Sequence, residues 1–370
     1  MIYVFLSIIS LSACVLIIAQ KDRVSSLLAT RNDAGAKQSA HSGFVPRIGG
    51  LAIFLAFVSL YPFADQFGID THGGKFFISI LPIVVVGLAE DIGLGMSPLR
   101  RLLAIISSGL LTSFFFNITL SGFGIPGLDA LMTYTPIAVA ITVFMAAGVT
   151  NAFNLIDGIN GLCSFVTIST GVALMFLAQS AGLSQIATIL GVIVAVTFGF
   201  FLANYPFGRI FLGDAGAYIL GHALCWVAIA MVVLRTEISP FAVLLIFFWP
   251  VADTMLAMWR RKTSGVKTDQ PDRLHFHQLV MRFLEIRFLG RHKRHISNPL
   301  TTIVLAPMIV APQIAGVVLA FDHQKAITAT VLFVVLFFSS YLAGISLARN
   351  YSGKVRPKKT AIANSSVPAE

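Results

Sequence analysis

The feature that most constrains this chain is a succession of long apolar runs almost free of charge. We read eleven, at roughly 2–19, 48–64, 76–90, 102–118, 135–150, 162–178, 185–203, 215–234, 239–257, 299–320 and 326–346. A bilayer core of about 30 Å needs about 20 apolar helical residues to cross it. In lipid the backbone must satisfy its own hydrogen bonds, and short alternating barrel strands are absent, so the runs are expected to be helices. Composition agrees: 56% of residues are hydrophobic and 11% charged, against about 45–50% and 25% in soluble domains. An ordinary soluble enzyme, a disordered chain and a nucleic-acid module are thereby excluded. Cys14, Cys163 and Cys225 lie in apolar stretches without ligand-like spacing and read as small core residues.

Charge sets the expected orientation. With the N-terminus outside, 23 of the 26 Lys and Arg fall in inner segments, and only Lys75, Arg235 and Lys325 fall outside. That asymmetry follows the positive-inside rule and puts the C-terminus in the cytoplasm. The net charge of +10 is then loop charge that fixes topology, not a nucleic-acid footprint. The first run has no basic residue before it and Lys21 and Arg23 just after it, opposite to a signal peptide, so it is expected to be retained. Eleven of the sixteen acids also lie on the inner side. The expected architecture is an all-α polytopic membrane protein of about eleven transmembrane helices, with its active site at the cytoplasmic face. Residues 1–348 form a single transmembrane domain, and 349–370 a basic cytoplasmic tail expected to be disordered.

Ionisable groups at the ends of apolar spans are costly and default to functional candidates. In GLAEDIGLGMSPLRRLL (87–103) Glu90 and Asp91 close one run, and Arg100 and Arg101 open the next. Adjacent carboxylates repel unless a cation sits near; the bland alternative is a solvated helix end paired with the arginines. In GVTNAFNLIDGINGL (148–162) Asn151, Asn154, Asp157 and Asn160 recur every three residues. On a helix they would share a face able to donate to and accept from a polar ligand, although Asn-Gly and Asp-Gly also favour plain turns. In NYPFGRIFLGDAGAYILG (204–221) Asp214 sits among glycines before an apolar run, as a ligand site or a helix N-cap. Asp253 lies inside a run, and Arg260, Arg261, Lys262, Asp272, Arg273, His275 and His277 follow it. Two His without a third or fourth ligand make a poor zinc site, so phosphate binding is the better functional reading, against a topogenic basic loop. Together, carboxylates and a basic loop on one face suit Mg²⁺ and a phosphorylated substrate.

These motifs resemble, in order, those of the polyprenyl-phosphate N-acetylhexosamine-1-phosphate transferases (glycosyltransferase family 4). The resemblance runs from about residue 33 to 282. It begins at DAGAKQSAHSGFVPRIGG (33–50), with Asp33, Lys37, His41, Pro46, Arg47, Gly49 and Gly50, and ends at DRLHFHQL (272–279). The last motif is similar to the branch that builds O-antigen, enterobacterial common antigen and teichoic linkage units, and argues against the peptidoglycan branch. Departures are Glu90 where Asp is usual, Asn160 in place of a second acid, Tyr218 where a Ser is common, and Gln278 in place of a third His.

The resemblance implies transfer of N-acetylhexosamine-1-phosphate from a UDP-sugar to undecaprenyl phosphate in a bacterial cytoplasmic membrane, releasing UMP. It implies Asp214 and Asp91 as ligands of Mg²⁺, with Mn²⁺ as an alternative, and Glu90, Asp91 and Asp157 as catalytic groups. Asn151, Asn154, Asn160, Phe211, Lys37, His41, Arg47, Arg209, His275 and His277 would bind substrate, Phe211 by stacking on uracil. UDP-N-acetylglucosamine is the commonest donor in the family, with N-acetylfucosamine and N-acetylquinovosamine donors as runners-up. The expected partners are these substrates and the bilayer, with no nucleic acid; a homodimer is compatible with the sequence. A secondary transporter, or another lipid-linked membrane enzyme, is the competing reading.

Overall fold

The computed structural model describes residues 1–23, 45–62, 70–264 and 275–354. Its elements are α1 (Ile2–Ala19), α2 (Gly49–Val58), α3 (Asp70–Asp91), α4 (Pro98–Phe116), α5 (Pro126–Met132), α6 (Thr135–Leu155), α7 (Leu162–Ser180), α8 (Ser184–Asn204), α9 (Gly213–Leu234), α10 (Pro240–Ile246), α11 (Phe248–Ser264), α12 (Phe276–Leu284), α13 (Arg294–Val318) and α14 (His323–Lys354). A π-helical turn, Glu285–Leu289, follows α12. Among the described residues, nine helices are long and apolar enough to cross a bilayer, and ten if the bent pair α10–α11 is one span. The three cysteines are buried free thiols, as expected.

Two expected spans differ from the structure. The run at 48–64 yields only the ten-residue α2, about 15 Å of rise at 1.5 Å per residue, half a bilayer core. The chain before it is committed elsewhere: Phe211 N–H donates to Pro46 O (2.9 Å), while Gly49 and Gly50 N–H donate to Phe211 O (3.0 Å) and Leu212 O (2.8 Å). The run at 239–257 is broken at Phe247, where α10 and α11 meet at 81°. The bend carries α11 against α6 and α13, with Arg261 and Lys262 in its last turn. The final helix continues to Lys354, into the segment expected to be a disordered tail; 355–370 lie outside the described residues.

The hub is α9. In its most apolar window 72% of residues are buried, against 17% for α1 and 22% for α14 at the periphery. It packs on α2, α3, α6, α7 and α8. Small residues permit this. A β-carbon on Gly50 would collide with the backbone of Gly216, and one on Gly87 would lie 2.5 Å from Ala215 Cα. Backbone has no room to yield there, so Gly50→Val should cost about 3 kcal/mol or more, the upper end of overpacking effects. The expected result is loss of monodisperse protein in detergent; a wild-type unfolding temperature would show that α2 and α9 are not in close contact.

Candidate active site

The polar residues of interest lie where α3 and α6 end and α4, α7 and α9 begin. Consecutive antiparallel spans place those ends on one side of the bundle. α4 begins cleanly there: Pro98 takes the first helical position and the Ser97 side chain accepts from Arg100 N–H (3.3 Å), a standard N-terminal cap.

Asp91, the last residue of α3, reaches the N-terminus of α9. Its Oδ1 accepts from Asp214 N–H (2.7 Å) and its Oδ2 from Ala215 N–H (3.0 Å). A carboxylate satisfying otherwise unpaired N–H groups at the positive end of a helix dipole is doubly favoured. Gly213 makes the approach feasible. Its φ is +76°, and a β-carbon there would strike Arg47 O and lie 2.5 Å from the Asp91 carboxylate. Only glycine meets both demands.

The Asp214 side chain turns the other way, to Arg101 Nη1 at 2.9 Å. The acid is 7% exposed and the arginine 27%, so the pair stands at the wall of the site, within reach of solvent. Glu90 lies near the same Arg101, whose charge it helps to hold. Its Oε2 accepts from Met96 N–H (2.6 Å), closing the α3–α4 turn.

The Asn/Asp run divides. α6 stops at Leu155, so Asn151 and Asn154 sit on its last turn, partly exposed, while Asp157 and Asn160 lie in the following turn. Asp157 is partly exposed, yet protein crowds its carboxyl. Burial pushes it up to about 7, Arg47 opposes this, Asp214 adds to it, and the Gly213 N–H opposes it. Asn160 is buried and engaged with the scaffold. Its N–H donates to Asn298 Oδ1 (2.7 Å), its Nδ2 to Pro206 O (2.9 Å), and its carbonyl accepts from Thr302 (2.9 Å). Asn204 joins the same two loops, accepting from Gly161 N–H (2.6 Å) and donating to Ile210 O (2.7 Å).

Of the other expected residues, Arg47 and Phe211 lie on paired backbone beside Gly213. Arg209 is exposed, with its guanidinium 5.1 Å from the Phe207 ring centroid. His275 and His277 are buried against Asp253, and a β-carbon on Gly158 would lie 3.5 Å from His277 Nε2. The His motif therefore abuts the Asp157 turn. Lys37 and His41 lie outside the described residues, as do Asp33, Asp272 and Arg273. Sequence reasoning left Arg101 and Asp253 off the site, although both were visible as ionisable groups at or inside a span. Asn204 and Asn298 carried no signal, because their partners are remote in sequence.

Such a site defines a polytopic membrane protein that gathers carboxylates, two arginines and carboxamides at one end of its helical bundle. The glycosyl transferase family 4 model matches residues 75–232. A probable undecaprenyl-phosphate N-acetylglucosaminyl 1-phosphate transferase of Bacillus subtilis (strain 168) is 28% identical over 265 residues, 68% of this chain and 70% of that protein. The undecaprenyl-phosphate alpha-N-acetylglucosaminyl 1-phosphate transferase of Escherichia coli (strain K12) is 26% identical, over 65% of this chain and 66% of its own length. The Salmonella typhi protein of the same description is 26% identical over 84% of this chain and 81% of its own. The chain is thus similar to glycosyl transferase family 4 over residues 75–232, and to these transferases over 65–84% of its length.

Proposed function

We propose that this chain transfers N-acetylglucosamine-1-phosphate from UDP-N-acetylglucosamine to undecaprenyl phosphate, giving undecaprenyl-diphospho-N-acetylglucosamine and UMP, the first step of a lipid-linked glycan. The observation that carries it is the meeting of Asp91, Asp214, Asp157, Arg47 and Arg101 around the N-terminus of α9. The relatives' names supply the substrates. The 23-to-3 division of Lys and Arg supports a cytoplasmic location for this end of the bundle. There a cytosolic nucleotide sugar and a lipid headgroup can meet.

An oxygen of the lipid phosphate attacks the sugar-bearing phosphorus of the UDP-sugar. A P–O bond forms there, and the bond to UMP breaks. Little covalent chemistry falls to the protein, so positioning and charge neutralisation dominate. Hard carboxylate oxygens suit Mg²⁺. Asp214 is the ligand of choice, since one carboxylate oxygen contacts only the partly exposed Arg101, and Asp91 has lone pairs to spare beside it. When bound, the ion neutralises the diphosphate and the departing UMP. Arg101 and Arg47 face the same anions. Asn151 and Asn154 offer donors and acceptors to the sugar or base, and Phe211 a ring to uracil.

A phosphate monoester with a second pKa near ~6 is already mostly dianionic at neutral pH, so no strong base is needed and Glu90 serves to hold the α3–α4 turn. Glu90→Gln keeps an oxygen for Met96 N–H and should lower kcat by no more than about tenfold, a typical cost for a lost positioning contact, with an unaltered pH profile. Activity lost at neutral pH and restored at high pH would instead make Glu90 the base.

The deciding experiment offers membranes carrying the protein a panel of UDP-sugars with undecaprenyl phosphate and Mg²⁺. Product should form with UDP-N-acetylglucosamine. Product only with another UDP-N-acetylhexosamine would correct the donor, and none with any donor from folded protein would overturn the transferase reading.

A further inference from the structure

One buried polar group is not used by the mechanism above. Asp253 lies on α11 with no exposed surface, yet accepts three hydrogen bonds. Its Oδ1 takes Phe276 N–H (2.6 Å), and its Oδ2 lies 3.2 Å from His275 Nδ1 and 2.8 Å from His277 Nδ1. The two imidazoles stack, with centroids 5.3 Å apart and planes 21° apart. A carboxylate only accepts, so each short contact requires hydrogen on that Nδ1. The free edge of each ring is then Nε2.

That edge of His277 has an address. Among the described residues its Nε2 is buried without a partner, and it points at Gly158. Gln278, whose Nε2 would lie 3.9 Å from a β-carbon on Gly158, also has a buried Oε1 without a partner among the described residues. Buried polar atoms are rarely left unsatisfied, so this edge is suited to water, an ion or a substrate group. The three residues Asp253, His275 and His277 could be taken for a metal trio. The distances argue otherwise: 2.8 Å and 3.2 Å are hydrogen-bond lengths, and a metal at Nδ1 would displace both hydrogens while supplying only three ligands.

We propose that Asp253 is a positioning residue that pins the Nδ1 hydrogens of His275 and His277, so that His277 presents Nε2 to the Asp157–Gly158 turn as the ligand-binding atom. The idea rests on the transferase reading only in taking the ligand to be a substrate phosphate. To donate to phosphate, Nε2 carries a hydrogen as well, and the buried carboxylate balances the resulting imidazolium. Asn at 253 retains one acceptor for Phe276 N–H but turns an amide N–H toward the imidazoles, forcing at least one ring to move its hydrogen.

The test uses the full chain in lipid nanodiscs with ¹⁵N-labelled histidine, the signals assigned by single His→Gln variants. In the wild type, His275 and His277 should both be protonated at Nδ1. In Asp253→Asn at least one should convert to the Nε2–H form, with kcat/KM for UMP release down about 10–100-fold, as when an orienting partner of a working histidine is lost. Asp253→Glu should recover part of it. A wild-type ring protonated only at Nε2, stoichiometric zinc on Nδ1, or an Asp253→Asn protein with both Nδ1 hydrogens retained would overturn the proposal. If Asp253→Asn does not fold, the wild-type spectrum still decides. If the wild type releases no UMP from any donor, the transferase reading fails, while the spectra still judge Asp253.

Discussion

Replacing Asp91 with Ala should unfold the N-terminal turn of α9 and abolish transfer together. The carboxylate is the acceptor for two backbone N–H groups that no longer have a partner once it is gone. Hydrogen bonds to a charged group contribute about 1.5–3 kcal/mol each, and orphaned buried donors cost a similar amount. The expected loss is about 3–5 kcal/mol, read as a lower unfolding temperature in detergent by tryptophan fluorescence. Transfer should fall at least about 10³-fold, because the misplaced helix carries Asp214 with it. Asp91→Asn keeps one acceptor and should recover roughly half of the lost stability without comparable activity. An Ala variant that melts with the wild type would show that α9 does not depend on this cap.

Asp214→Asn should give the opposite balance. Its carboxylate pairs with a partly exposed arginine, and Asn keeps an oxygen that can accept from it, so the loss should be no more than about 1–2 kcal/mol. Arg101 can turn to water when released, so the unfolding temperature should barely move. Activity should fall about 10²–10³-fold, about 3–4 kcal/mol of transition-state stabilisation, and the Mg²⁺ concentration for half-maximal rate should rise. A drop in activity no greater than the drop in folded protein would remove Asp214 from the metal site. The two variants together separate the residue that builds the helix end from the residue that uses it. Both acids were expected to serve the metal. The geometry gives Asp91 a structural duty that spans 123 residues of sequence.

Particular residues show how far the sequence could be read. Most spans were legible because hydropathy acts on each segment separately, but the half-length α2 and the 81° break between α10 and α11 were not, because packing decided them. Glu90, Asp91, Asp157, Asp214 and Asp253 were legible because a carboxylate at the edge of an apolar run is conspicuous wherever it folds. Roles were less so. Asn160 read as a substrate contact; that it also ties the scaffold together, through Asn298 and Pro206, could not be seen in the sequence. Glu90 and Asp91 read alike as an acidic pair, but only Glu90 accepts from Met96 N–H and only Asp91 from the start of α9. Gly50 was noted within a motif, but its need to meet Gly216 was not readable from either helix alone.

The sequence by itself determined that this chain lives in a membrane, which side its charge favours, and which few ionisable groups had to be accounted for. Those follow from local composition and from the high cost of charge in lipid. Only the tertiary structure decided which of those groups meet. A carboxylate's duty depends on the N–H groups, arginines and histidines within about 3 Å of it. Those partners come from helices far apart in the chain, brought together by the close packing of α2, α3 and α6 around the small-residue face of α9.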